Sequence, residues 1–135
     1  MADTLVLYDA TLDVPLAAGF LGWGTVIRRS SAERTFRVAN TSLIYTAETV
    51  TIAVADTGAA ADPSQAATHL LSLDGRSFTA GLDLGDLPPG TASSPITLRR
   101  VTPSTADTGA WTFEVVAAAA AFTAGSPLPA EQTVL

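Results

Sequence analysis

The chain has no cysteine, no lysine and a single histidine, His69, in 135 residues. Without cysteine there are no disulfides, no thiolate nucleophile and no thiolate metal site. With one histidine, a transition-metal site lacks its usual second imidazole. A hydrolase triad would have to be built around His69 from Ser72, Ser77 and Asp74. No nucleophile-elbow motif surrounds these residues, and along a hairpin alternate side chains face opposite ways, so His69 reads as a strand-end histidine.

Charge is also scarce. Only 15% of residues are charged, against about a quarter in ordinary soluble domains, which suggests that a partner covers part of the surface. The net charge of -6 excludes nonspecific nucleic-acid binding, which needs cations to displace counterions from phosphates. All seven basic residues are arginine. GC-rich coding accounts for this most simply; the alternative is a use for arginine's rigid fork at planar ion pairs. The longest apolar run, residues 115 to 122, falls well short of the roughly 20 residues that cross a bilayer. Asp3, Asp9 and Asp13 fill the first residues with no basic residue ahead of the first apolar run, so the expectation is synthesis in a cytoplasm without secretion.

Most of the chain reads as short strands with period-two alternation, bounded by Gly, Pro, Asp and Asn, and no segment shows a sustained helical period with caps. Leu5, Val6 and Leu7 suggest a first strand, and Gly22-Trp23-Gly24 a place where backbones approach closely. Phe36 and Val38 share a face opposite Arg37, and Val50, Ile52 and Val54 share another. The segment from Asn40 to Glu48 between them is too long for a two-residue turn, so the two strands are expected in different sheets. Asp74-Gly75 signals a type I′ hairpin. Ile96 and Leu98 point inward with Thr97 and Arg99 outward, and Trp111, Phe113 and Val115 share a face of the last strand. The tail, with Pro127 and Pro129, shows no pairing pattern. These signals predict an all-β sandwich of about seven to nine antiparallel strands over residues 1 to 122, with residues 123 to 135 as an extended or disordered arm.

Other candidate chemistry has ordinary explanations. Asp62, Asp83, Asp86 and Asp107 are loop carboxylates of the kind calcium uses, but without the spacing of a known calcium loop. Nothing brings Glu48 and Glu114 to a shared cleft. Ala-Asp-Thr-Gly-Ala occurs at 55 to 59 and at 106 to 110, and reads as one turn solution used twice. Asn40-Thr41-Ser42 matches a glycosylation sequon, yet these side chains can instead bond the local backbone and end the strand. In Arg28-Arg29 and Arg99-Arg100 one arginine of each pair should face outward, to meet a cross-strand carboxylate or an acidic partner.

The "VANTS" strand, the following "TAETVTIAV", the "LPPG" turn before "SPITLRRVTP" and the closing "TADTGAWTFEV" are similar to immunoglobulin-like modules over about residues 33 to 118. The chain as a whole further resembles accessory virion proteins of tailed phages of GC-rich bacteria, which use such domains as capsid decoration or tail ornaments. It departs from antibody domains in lacking the inter-sheet cysteine pair. The resemblance implies a noncatalytic structural protein in several copies on the virion, with the major capsid or a tail protein as partner and no cofactor, metal, nucleic acid or membrane. Leu43, Ile44, Tyr45, Phe122, Leu128 and Pro129 are the candidate contact residues. The alternatives are a tail or baseplate accessory protein, and a carbohydrate or cell-surface binding module using Trp23, Tyr8, Tyr45 or Phe122.

Overall fold

The structure, a computed structural model, describes residues 5–59, 61–120 and 126–135. Among these are β1 (Leu5–Asp9), β2 (Gly24–Val26), β3 (Ser30–Asn40), β4 (Ala47–Thr57), α1 (Gln65–Thr68), β5 (His69–Ser72), β6 (Gly81–Leu87), β7 (Ile96–Thr102), β8 (Gly109–Ala118) and β9 (Ser126–Val134). They form a sheet of order β1-β3-β7-β5 and a second of order β2-β9-β8-β4-β6. The all-β sandwich predicted by the alternation is therefore what the chain adopts, and β3 and β4 do lie in different sheets. All strand pairs are antiparallel except β2 with β9.

The alternation works because each sheet has one face to hide. Phe36 and Val38 of β3, Ile96 and Leu98 of β7, Leu5 and Leu7 of β1 and Leu71 of β5 meet Val50 and Ile52 of β4 and Phe113 and Val115 of β8 in one core. Burying each such side chain contributes about 1.5–3 kcal/mol, enough to set the register, since a one-residue slip would turn every one of them outward.

Three expectations need correction. Residues 126 to 134 are extended but are not an arm: β9 lies inside the five-stranded sheet, between β8 and β2. Leu128, Ala130, Gln132 and Val134 alternate inward against outward Pro127, Pro129, Glu131 and Thr133. A proline inside a sheet normally removes a ladder bond. Here Pro129 O accepts from Gly19 N at 2.8 Å and Glu131 O from Trp23 N at 3.1 Å, so the odd-numbered residues direct their backbone away from β8. Pro127 and Pro129 lack only donors that β8 does not use. The rest of the predicted arm lies outside the described residues.

Asp74-Gly75 does not form a two-residue turn. Only Gly75 has positive φ, 75°, whereas type I′ needs it at both positions. The loop closes farther out, where Leu71 and Thr79 exchange backbone hydrogen bonds of 2.7 and 2.9 Å. Asp74 Oδ1 organises its interior by accepting from Arg76 N, Ser77 N and Ser72 Oγ. These bonds hold the Asp74 carboxyl below its usual pKa. Thirdly, one helical turn does form, Gln65–Thr68, with Ser64 Oγ accepting from Ala67 N as its N-cap.

Candidate functional site

At the far end of β3 the sequon becomes a scaffold. Asn40 and Ser42 are buried, 1% and 0% exposed. Asn40 Nδ2 donates to Tyr45 O at 2.8 Å and Leu87 O at 2.9 Å, and its Oδ1 accepts from Ser42 N at 3.0 Å. Ser42 Oγ accepts from Ile44 N and Tyr45 N at 3.1 and 2.9 Å. With its amide engaged inside the protein, Asn40 serves as a structural corner. What the corner holds out is apolar: Leu43 is 86% exposed, Ile44 75% and Tyr45 49%.

The other candidate contact residues do not join this tip. Leu128 is in the core, buried by the β9 alternation, and is withdrawn as a contact residue. Pro129 is exposed on the outer face of the five-stranded sheet, beside Ala18, Gly19 and Thr112. Phe122 lies outside the described residues.

The Ser30 end of β3, roughly 30 Å of strand away, carries an arrangement that the sequence did not announce. Ser30, Ala32 and Arg34 of β3 and Arg100 and Thr102 of β7 share the inward phase of Phe36 and Leu98. The sandwich core thus gives way to polar side chains. His69, 0% exposed, has both ring nitrogens engaged: Nε2 accepts from Trp23 Nε1 at 2.9 Å and Nδ1–H donates to Gln65 O at 2.8 Å. Its ring lies 4.4 Å from that of Phe113. Burial, with the charge of Arg100 adding to it, pushes the imidazole pKa down to about 4. His69 is accordingly a neutral post that orients Trp23, with no nitrogen left to act as a base.

Beside it lies an open cleft of about 520 Å³ lined by Trp23, Thr25, Ser30, Glu33, Arg34 and Arg100, among others. Two guanidiniums gather on Trp23, with Arg34 Cζ 5.0 Å and Arg100 Cζ 5.4 Å from the ring centroid, within cation–π range. Arg100 is only 5% exposed. One of its terminal nitrogens donates to Ser30 Oγ at 3.0 Å and to Thr102 Oγ1, while its Nε and that of Arg34 have no partner among the described residues. Burial lowers the Arg100 pKa. The outward neighbour behaves differently: Arg99 pairs with its register partner Glu33 at 2.6 Å, the one ion pair among the described residues.

The loop carboxylates serve the backbone. Asp83 Oδ1 accepts from Gly85 N, Asp86 Oδ1 from Thr49 N at a β-bulge, and Asp107 Oδ2 from Asp62 N. No three metal-ligating side chains cluster among the described residues. The two Ala-Asp-Thr-Gly-Ala copies converge on one loop, Asp56 binding Gln65 N and Asp107 binding Asp62 N.

The chain matches no family model and no curated protein. Among solved structures, it is similar to a family 123 glycoside hydrolase from Clostridium perfringens, studied for glycolipid glycan hydrolysis, at a TM-score of 0.65 and 9% identity. The likeness covers 100% of this chain and 27% of the hydrolase, so the chain spans about a quarter of that protein. It is also similar to the CooA pilin subunit from enterotoxigenic Escherichia coli, at a TM-score of 0.56 and 9% identity over 97% of each chain. At such identities the likeness is one of fold.

Proposed function

We propose that this chain is a noncatalytic docking module of a larger particle, engaging its partner through the tip formed by Leu43, Ile44 and Tyr45. The single observation that carries this reading is three consecutive exposed apolar side chains on a loop fastened by buried Asn40 and Ser42. A loop that served only to connect strands would gain nothing from such residues, whereas an apolar pocket on a partner would gain about 1.5–3 kcal/mol from each one it buried. One tip is a weak contact, and several copies on one particle multiply it by raising the effective concentration. That a pilin subunit shares the fold over nearly its whole length favours a structural role. The resemblance to accessory virion proteins supplies the setting: a phage particle, with capsid decoration ahead of a tail position and the major capsid or tail protein as partner.

The test is the Leu43→Asp/Ile44→Asp double variant. Its circular dichroism and melting should match the parent, because neither side chain is in the core. On a density gradient, the parent should sediment with particles and the variant should remain at the top. A folded variant that still sediments with particles would remove the tip from the mechanism.

A further inference from the structure

A second site stands apart from the docking tip. In a cleft of about 520 Å³, Arg100 is nine-tenths buried with no carboxylate within ion-pairing distance among the described residues. A guanidinium taken out of water without a counter-charge is costly, and Ser30 and Thr102 return only neutral hydroxyls to it. Arg34 adds a second guanidinium on the same indole and makes no ion pair among the described residues. The positive charge is not spread further, because His69 beside it is neutral. Two convergent forks without an anion are a receptor for one.

The lining narrows the anion's chemistry. Glu33 stands at the rim, already tied to Arg99, and its charge disfavours a dianion such as phosphate more than a singly charged carboxylate. Trp23 offers aromatic surface and Thr25 a hydroxyl. We infer that this cleft binds a carboxylate carried on a hydroxylated ring, the chemistry of a uronic acid residue, with Arg34 and Arg100 holding the carboxylate and Trp23 the ring. The Arg99-Arg100 pair then divides its labour by strand phase: the outward arginine is neutralised within the fold and the inward one awaits a ligand.

Trp23 is a built-in reporter once the second tryptophan is removed, so the experiment uses the full chain carrying Trp111→Phe. Its emission is titrated with D-glucuronate, with D-glucose as the neutral counterpart and with inorganic phosphate as an anion lacking the ring. The expected result is a saturable change with glucuronate alone, weakened by added salt. Arg34→Gln and Arg100→Met should each weaken binding roughly tenfold or more, as loss of a charge-assisted contact does. Should Arg100→Met fail to give the parental circular dichroism, Arg34→Gln decides, since the Arg34 side chain holds no hydrogen bond among the described residues. No saturable response to glucuronate, an equal response to glucose or phosphate, or unchanged affinity in folded Arg34→Gln would each overturn the inference.

Discussion

Replacing Asn40 by alanine should cost this small domain a large share of its stability. The side chain serves three backbone groups in the interior, accepting from Ser42 N and donating to the carbonyls of Tyr45 and Leu87. A buried backbone group left without its partner costs about 1–3 kcal/mol. The low end applies here, because the loop it fastens is exposed and water can reach part of it, giving roughly 3–5 kcal/mol for the three together. Domains of this class have a total of only about 5–15 kcal/mol. Guanidinium chloride unfolding followed by tryptophan emission should therefore show a much lower midpoint with an unchanged slope. Asn40→Asp is the sharper control. It keeps the size and the acceptor for Ser42 N, but turns an oxygen toward two carbonyls and buries a charge. Burial raises the pKa of such a carboxyl, so its folded form gains stability as pH falls and the group protonates and donates again. Asn40→Asp should be less stable than Asn40→Ala at neutral pH and recover in acid. A loss under about 1 kcal/mol for Asn40→Ala, or an Asn40→Asp variant as stable as the parent at neutral pH, would refute the account of the corner.

Two further outcomes follow from the same geometry. His69 has a folded pKa of about 4 against an ordinary 6.5; its contribution is fully present above pH 6.5 and is lost as pH falls through 4, amounting to roughly 3 kcal/mol. Urea midpoints measured across this window should slope upward with pH, and a slope unchanged in His69→Gln would assign it to other groups. Deleting residues 126 to 135 should abolish cooperative unfolding, because Leu128, Ala130 and Val134 leave the core with β9; a sharp transition in the shortened chain would restore the reading of this segment as an extended or disordered arm.

What the sequence revealed depended on period. β3, β4, β7 and β8 were legible because Phe36, Val38, Val50, Ile52, Ile96, Leu98, Phe113 and Val115 fall on alternate positions, and the pleat converts that spacing into a face. β9 has the same alternation, but its inward run is broken by small Ala130 and polar Gln132, and its prolines speak against an interior strand. Only the orientation of its backbone, visible in three dimensions, makes Pro127 and Pro129 harmless. The tip was legible as an apolar run in a polar loop. The cleft was not, since Trp23, Arg34 and Arg100 lie far apart in the chain and meet only through strand register. One local signal did exist: Arg100 is in phase with Ile96 and Leu98, so the alternation that directs those inward directs a charge inward too.

The placement of β9 also has a consequence for folding. It completes the middle of a sheet, joining β8 to the sequence-distant β2. Until it arrives, the long edge of β8 has no neighbour, and the inner face of the five-stranded sheet lacks Leu128, Ala130 and Val134. Folding to the final state thereby waits on a pairing distant in sequence, which closes slowly. In that interval the open edge can accept only a strand of matching pattern, and at high concentration the nearest one is β9 of another copy. Exchange of that strand would rebuild the same hydrogen bonds between two chains, so the interior position of β9 gives this domain a route to dimers that requires no new surface.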